Sequence, residues 1–167
     1  MIAPALRQVG VLWALGEMSV ADEHLATAIT YRSLASLSAF VGPPEALRGT
    51  VLLAAVEGER HVVGLEMVAR VLEGGGFDVK LLGADVPTDA LAAAVARFAP
   101  GVVGLSATTA SPERVREAVR AVLAVDGDVG VLLGGAGCPP GLEGCRVVQG
   151  AGHALAAVGA VLAPVAA

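Results

Sequence analysis

Residues 49–64, GTVLLAAVEGERHVVG, restrict the fold more tightly than any other stretch of this chain. Val51 to Val56 is an unbroken apolar run with β-branched residues at both ends, the pattern of a strand buried on both faces of a parallel sheet. A polar turn, Glu57-Gly58-Glu59-Arg60, follows and leads into His61. From Val62 the apolar spacing becomes helical, with Val62, Leu65, Val68, Ala69 and Leu72 on one stripe. His61 therefore falls in a loop at the carboxyl end of a strand, where open α/β sheets bind their ligands.

The rest of residues 49–167 repeats this alternation. Strands are expected at about 51–56, 78–82, 101–106, 129–133 and 146–149, and helices at about 62–73, 88–98, 111–124 and 152–163. Gly74-Gly75-Gly76 stops the first of these helices, and Ala99-Pro100 ends the second. Ser111-Pro112-Glu113 opens the third with a cap, a proline in the first turn and an acidic residue beside the positive end of the helix dipole. The fold class that follows is α/β, a five-stranded parallel sheet covered on both faces.

Residues 1–42 read differently. Pro4 suits the first turn of a helix carrying Leu6, Val9, Leu12 and Trp13, and Gly16 ends it. Ser19 is a cap with Asp22 three residues on, and a second helix is expected from about Val20 to Phe40. Gly42-Pro43-Pro44 is a stiff break, so a helical part at 1–44 and an α/β domain at 45–167 are expected. Two helices bury little by themselves. Residues 1–42 should expose apolar surface and lead to self-association or docking on a regulatory protein.

Composition narrows the partners. Of 167 residues, 55% are hydrophobic and 16% charged, enough for a sizeable core that is aliphatic and alanine-rich. The net charge of -5 and eleven scattered basic residues argue against direct nucleic-acid binding, which needs clustered Lys and Arg. No run of 18 apolar residues suggests a membrane span, and the N-terminus lacks the pattern of a signal peptide, so a cytoplasmic location is expected. Cys138 and Cys145 are expected to be reduced, and no cysteine or histidine near them suggests zinc.

Glu59 lies two residues before His61, close enough to accept a hydrogen bond from one imidazole nitrogen and leave the other as an oriented lone pair for a metal. Gly64 lets a bulky group pass close to the backbone. Three more loops of small residues are expected at the same sheet edge: Ser106-Ala107-Thr108-Thr109, Gly134-Gly135-Ala136-Gly137 and Gln149-Gly150-Ala151-Gly152. Their spacing is neither GxGxxG after the first strand nor GxxxxGK[ST]. Together with the carboxylate–histidine pair they suggest a long planar group buried between sheet and helices, with a metal above it.

Glu59-Arg60-His61-Val62-Val63-Gly64, then Ser106-Ala107-Thr108, then Gly134-Gly135, resembles the cobalamin-binding flavodoxin-like domain, whose pattern is DxHxxG, a serine loop and GG. The resemblance spans residues 49 to about 160. It implies that His61 displaces the dimethylbenzimidazole tail of the cofactor and becomes the lower axial ligand of cobalt. The tail then lies in a channel bordered by Ser106, Thr108, Gly134 and Gly135, with Gly150 on the neighbouring loop. Glu59 stands where the family has aspartate. Trp13, nine intervening residues and Glu23-His24 is similar to the W-x9-EH pattern of light-sensing cobalamin repressors of the CarH/LitR type. There a helical bundle caps the upper face of the corrin, and the tryptophan and glutamate surround the 5′-deoxyadenosyl group. A histidine directly follows the tryptophan in those sensors; here that position is Ala14.

The expected function is a cobalamin-binding regulatory or sensor module rather than an enzyme, with adenosylcobalamin favoured over methylcobalamin and a response to light implied by the resemblance. The alternative is a corrinoid carrier, or a subunit of a cobalamin-dependent methyltransferase or mutase, using the same Glu59 and His61. A third reading is a flavodoxin-like domain for another planar ligand such as a flavin or tetrapyrrole. His153 is expected on a helix surface.

Overall fold

The protein is described by a computed structural model covering residues 2–38 and 46–163. The expected break at Gly42-Pro43-Pro44, the end of the second helix near Phe40 and the boundary between residues 44 and 45 lie outside the described residues. The chain divides into two compact units, Met1–Gly42 and Pro43–Ala167.

The first unit holds helices α1 (Ile2–Ala14) and α2 (Val20–Ser38). Gly16 follows α1 in the left-handed region, at φ +73°, which accounts for the stop there. The start of α2 is a reciprocal capping box. Ser19 Oγ accepts from the Asp22 amide at 3.2 Å, and the Asp22 carboxylate accepts from the Ser19 amide at 3.1 Å. Val11, Trp13, Leu15, Val20, Leu25 and Ile29 are exposed, as the apolar pattern of this segment leads one to expect.

The second unit is a five-stranded parallel sheet in the order β2-β1-β3-β4-β5, the doubly wound flavodoxin-like order. Its strands are β1 (Thr50–Val56), β2 (Asp78–Val86), β3 (Val102–Ser106), β4 (Gly130–Gly134) and β5 (Cys145–Val147). Its helices are α3 (Val63–Gly74), α4 (Thr88–Phe98), α5 (Pro112–Val125) and α6 (Ala154–Leu162), the last preceded by a 3₁₀ turn at Ala151–His153.

The alternation of side chains along β1 sorts the core into two layers. Leu52, Ala54 and Val56 join Leu91 and Val95 of α4 and Val115, Val119 and Val122 of α5. Val51, Leu53 and Ala55 join Leu65, Ala69 and Leu72 of α3 and Ala154 and Val158 of α6. Both faces of β1 are covered, which explains why its sequence is a continuous apolar run. Each fully buried Leu or Val contributes about 1.5–3 kcal/mol of transfer free energy.

Helix ends follow the local chemistry. Ser111 Oγ accepts from the Arg114 amide at 3.4 Å and Pro112 occupies the first position of α5. Ala99 closes α4 at φ +42°. Gly75, just beyond α3, sits where a Cβ would lie 2.3 Å from Leu155 Cδ1, so α3 and the start of α6 approach closely there. Two strands differ from expectation: β5 ends at Val147 rather than near residue 149, and β2 is longer than expected. β2 runs to Val86 rather than ending near residue 82, because two register slips against β1 carry it past Gly83.

Candidate functional site

The turn after β1 is closed by the Glu59 amide donating to the Val56 carbonyl at 2.9 Å, with Gly58 at φ +85° as its third residue. A residue in that position needs positive φ, so glycine is required there. The turn sends Glu59 inward, where it is fully buried, and leaves Arg60 and His61 exposed. Val62 and Val63, partly buried, begin α3, and Gly64 faces open space with no atom within 4 Å of a Cβ built on it.

Glu59 is the centre of the site. One carboxylate oxygen, Oε1, accepts from the His61 amide at 2.7 Å and from His61 Nδ1 at 2.6 Å. An ionised carboxylate only accepts, so Nδ1 carries the proton and Nε2 is the nitrogen left outside this pair. The other oxygen, Oε2, reaches across to the loop after β3. There it accepts from the amides of Thr108 at 2.5 Å, Thr109 at 2.6 Å and Ala110 at 3.3 Å. Burial acts to raise the Glu59 pKa. The amides of Thr109, His61 and Thr108 outweigh it and hold the carboxyl at about 2, below its ordinary 4.5. A buried charge is tolerated here because nearly every lone pair has a donor. Thr109 Oγ1 lies 3.4 Å from both Glu59 Oε2 and His61 Nδ1.

Ser106, Ala55 and Gly134 stand level with one another at the carboxyl edge of β3, β1 and β4. Ser106 is half-buried, and Thr108 is exposed and contributes its amide to Glu59. Gly135 has φ +106°, and a Cβ there would lie 2.1 Å from the Ala107 carbonyl oxygen. The Gly134–Gly137 loop is seated directly on the Ser106–Thr108 loop, with the Ala107 amide donating to Gly134 O at 2.8 Å and the Gly137 amide to Ala107 O at 2.9 Å. The conformational demand on Gly135 is thus explained by contact between the two loops. Gly150, at φ +86°, precedes the 3₁₀ turn and has open space around it.

Cys138 and Cys145 are free. Burial pushes the Cys138 thiol up, and its Sγ donates to Gly134 O at 3.0 Å. His153 is exposed, in the 3₁₀ turn, with Nδ1 against Gln149 O at 2.7 Å. In the helical unit, Glu23 accepts from Thr27 Oγ1 at 2.9 Å and lies 2.7 Å from His24 Nδ1, while Trp13 is half-exposed.

Three contributors to the site have no motif in the sequence. The main-chain amides of Thr109 and Ala110 are two of them; any residue has an amide, and only the path of the loop aims them. Asp85 is the third. Its Oδ1 accepts from the Gly58 amide at 2.7 Å and its own amide donates to Glu59 O at 2.8 Å. The neighbouring Gly83 was the available sign that the strand would bend here.

Among the described residues no three His, Cys, Asp or Glu side chains converge as a metal cage. A metal bound through His61 has to bring its other ligands with it, as a metal inside a macrocycle does. An imidazole with Nδ1 held by a buried carboxylate fits that requirement.

The family model for the B12 binding domain matches residues 49–159, and a second B12 binding domain model matches residues 1–38. The chain belongs to the B12-binding domain family. Cobalamin is the ligand class that membership assigns to this domain. The sequence is 34% identical over 137 residues to the HTH-type transcriptional repressor CarA of Myxococcus xanthus, covering 81% of this chain and 46% of that repressor. It is 26% identical over 140 residues to dimethylamine corrinoid protein 1 of Methanosarcina acetivorans, covering 81% of this chain and 66% of that protein. The chain thus spans about half the length of the repressor. In structure the B12-binding chain superimposes on the Methanosarcina barkeri monomethylamine corrinoid protein with a TM-score of 0.82 at 17% identity, covering 96% of this chain and 80% of that one. At that identity the likeness establishes the fold. Among the described residues no helix of the B12-binding chain is long and apolar enough to cross a membrane.

Proposed function

We propose that this chain is a regulatory module that binds adenosylcobalamin in the base-off form, with His61 as the lower axial ligand of cobalt. The observation that carries the reading is the 2.6 Å contact between His61 Nδ1 and the buried, ionised carboxylate of Glu59. It fixes the tautomer and orients the ring. Arg60, Val62, Val63 and Gly64 frame the histidine from its own loop and the start of α3. Ser106, Thr108, Gly134, Gly135 and Gly150 are the residues that would hold the displaced nucleotide tail. Trp13, Glu23 and His24 are the residues that would hold the upper substituent; their support is the sequence pattern within the segment matched by the second family model. Adenosylcobalamin would supply a cobalt–carbon bond that light can break, and the proposed output would be a response to loss of the adenosyl group. Ala14 offers no imidazole, so the response does not run through a second histidine at that position.

The test is an absorption spectrum of the protein with adenosylcobalamin, in the dark and after green light, with gel filtration alongside. A dark base-off/His-on spectrum that changes on illumination together with elution is the expected result. His61→Ala should abolish the His-on signature. A His61→Ala variant that binds with an unchanged cobalt spectrum would overturn the axial assignment.

A second reading, a corrinoid carrier or a subunit of a methyltransferase or mutase, is favoured by the 26% identity to the dimethylamine corrinoid protein. It uses the same Glu59 and His61. Preference for methylcobalamin over adenosylcobalamin, with no dependence on Trp13 or Glu23, would select the carrier.

A further inference from the structure

The turn that carries Glu59 is held from outside by one residue of the adjacent edge strand. β2 pairs with β1 in register from Asp78 to Leu81, then slips, so that Gly83 faces Ala54 and Val86 faces Val56. The slips leave Asp85 at φ +51°, one of two non-glycine residues with positive φ among those described. In that conformation its two polar groups bracket a single peptide. The Asp85 carboxylate accepts from the Gly58 amide at 2.7 Å, and the Asp85 amide donates to the Glu59 carbonyl at 2.8 Å. The amide on one side of the Gly58–Glu59 unit and the carbonyl on the other are both tied to the same residue.

We propose that Asp85 is a positioning residue for His61. It fixes the main chain at Gly58 and Glu59, so the Glu59 carboxylate leaves the backbone in the direction that meets both His61 Nδ1 and the amides of Thr108 and Thr109. The proposal rests on the reading of His61 as the cobalt ligand. The residue type suits the task for two separable reasons. Asp and Asn tolerate positive φ better than other side-chain-bearing residues, and both present an acceptor oxygen. Backbone held in a sparsely populated region, away from any loop tip, persists where surrounding contacts over-determine it. Here those contacts are the two that clasp the turn. Asp85 is exposed and contributes nothing to either apolar layer, so core packing does not account for it.

Three variants separate the components. Asp85→Asn keeps the acceptor and the tolerance of positive φ but removes the charge. Asp85→Gly keeps the conformation and removes the acceptor, and it carries no steric obstacle to folding. Asp85→Ala removes the acceptor and resists the conformation. The first readout needs no cobalamin: hydrogen exchange of the Gly58 amide by NMR. Exchange should accelerate about tenfold in Asp85→Gly and Asp85→Ala, the equivalent of one lost hydrogen bond, and stay near wild type in Asp85→Asn. The second readout is the His-on fraction in the spectrum of the protein loaded with cobalamin. It should fall in Gly and Ala and be restored in Asn. A residue that only stabilised the fold would lower the melting temperature without moving that fraction.

Wild-type exchange and wild-type His-on fraction in Asp85→Gly would overturn the proposal. So would faster exchange with an unchanged His-on fraction, which would make the clasp structural only. A wild-type protein that binds cobalamin without histidine ligation would overturn the reading of His61 instead, and the exchange series would still judge the clasp.

Discussion

The most consequential atom pair is His61 Nδ1 and Glu59 Oε1, and the residue scale is where the sharpest expectations lie. Glu59→Gln keeps the volume but brings an NH₂ group to face donors on at least one side. Cobalamin affinity should drop about 10–100-fold in titrations followed by absorption. The acid limit follows from the same group. The folded carboxyl titrates at about 2 against an ordinary 4.5, so it stabilises the folded state above pH 4.5 and that stabilisation is lost as pH falls toward 2. The difference corresponds to about 3 kcal/mol, to be read as the slope of unfolding free energy across that interval and its flattening in Glu59→Gln. The pairing of Glu59 with His61 was legible in the sequence, because two residues two apart after a strand end are neighbours. The other half of the carboxylate's environment was not. The amides of Thr108, Thr109 and Ala110 arrive from a loop about fifty residues away in sequence, and no side-chain pattern marks an amide.

At the scale of elements, the period of the apolar residues disclosed nearly everything. β1, α3, α4, β3 and α5 occur where alternation and capping residues put them. The exceptions are places where tertiary packing overrides local pattern. β2 continues four residues past its expected end through the slips near Gly83 and Asp85, and the last helix begins with a 3₁₀ turn at Ala151–His153. Two measurements test the element-level account. Ser111→Ala should cost about 1 kcal/mol in chemical denaturation by removing the cap of α5. Gly135→Ala places a methyl group against the Ala107 carbonyl at positive φ and should cost about 2–4 kcal/mol in the same assay, since neither loop can yield without breaking its ladder of amides.

At the scale of the whole molecule, the sheet unit carries two apolar layers of its own, whose described members fall at residues 51–161. A protein lacking residues 2–38 is expected to keep a single cooperative unfolding transition in calorimetry. The change to strand–helix alternation near residue 50 is legible in the apolar period. The exposed Val11, Trp13, Leu25 and Ile29 were legible as well, since two helices have too little shared surface to hide them.

One property of the site concerns how such a domain can change over generations. Of the groups that meet the Glu59 carboxylate most closely, four are peptide amides, those of His61, Thr108, Thr109 and Ala110. Substitution exchanges side chains and leaves amides in place. Residues 108–110 are therefore free to drift among small side chains while the carboxylate keeps its charge and its aim. The exceptions are proline, which has no amide hydrogen, and any insertion or deletion in the loop, which would redirect all three donors at once.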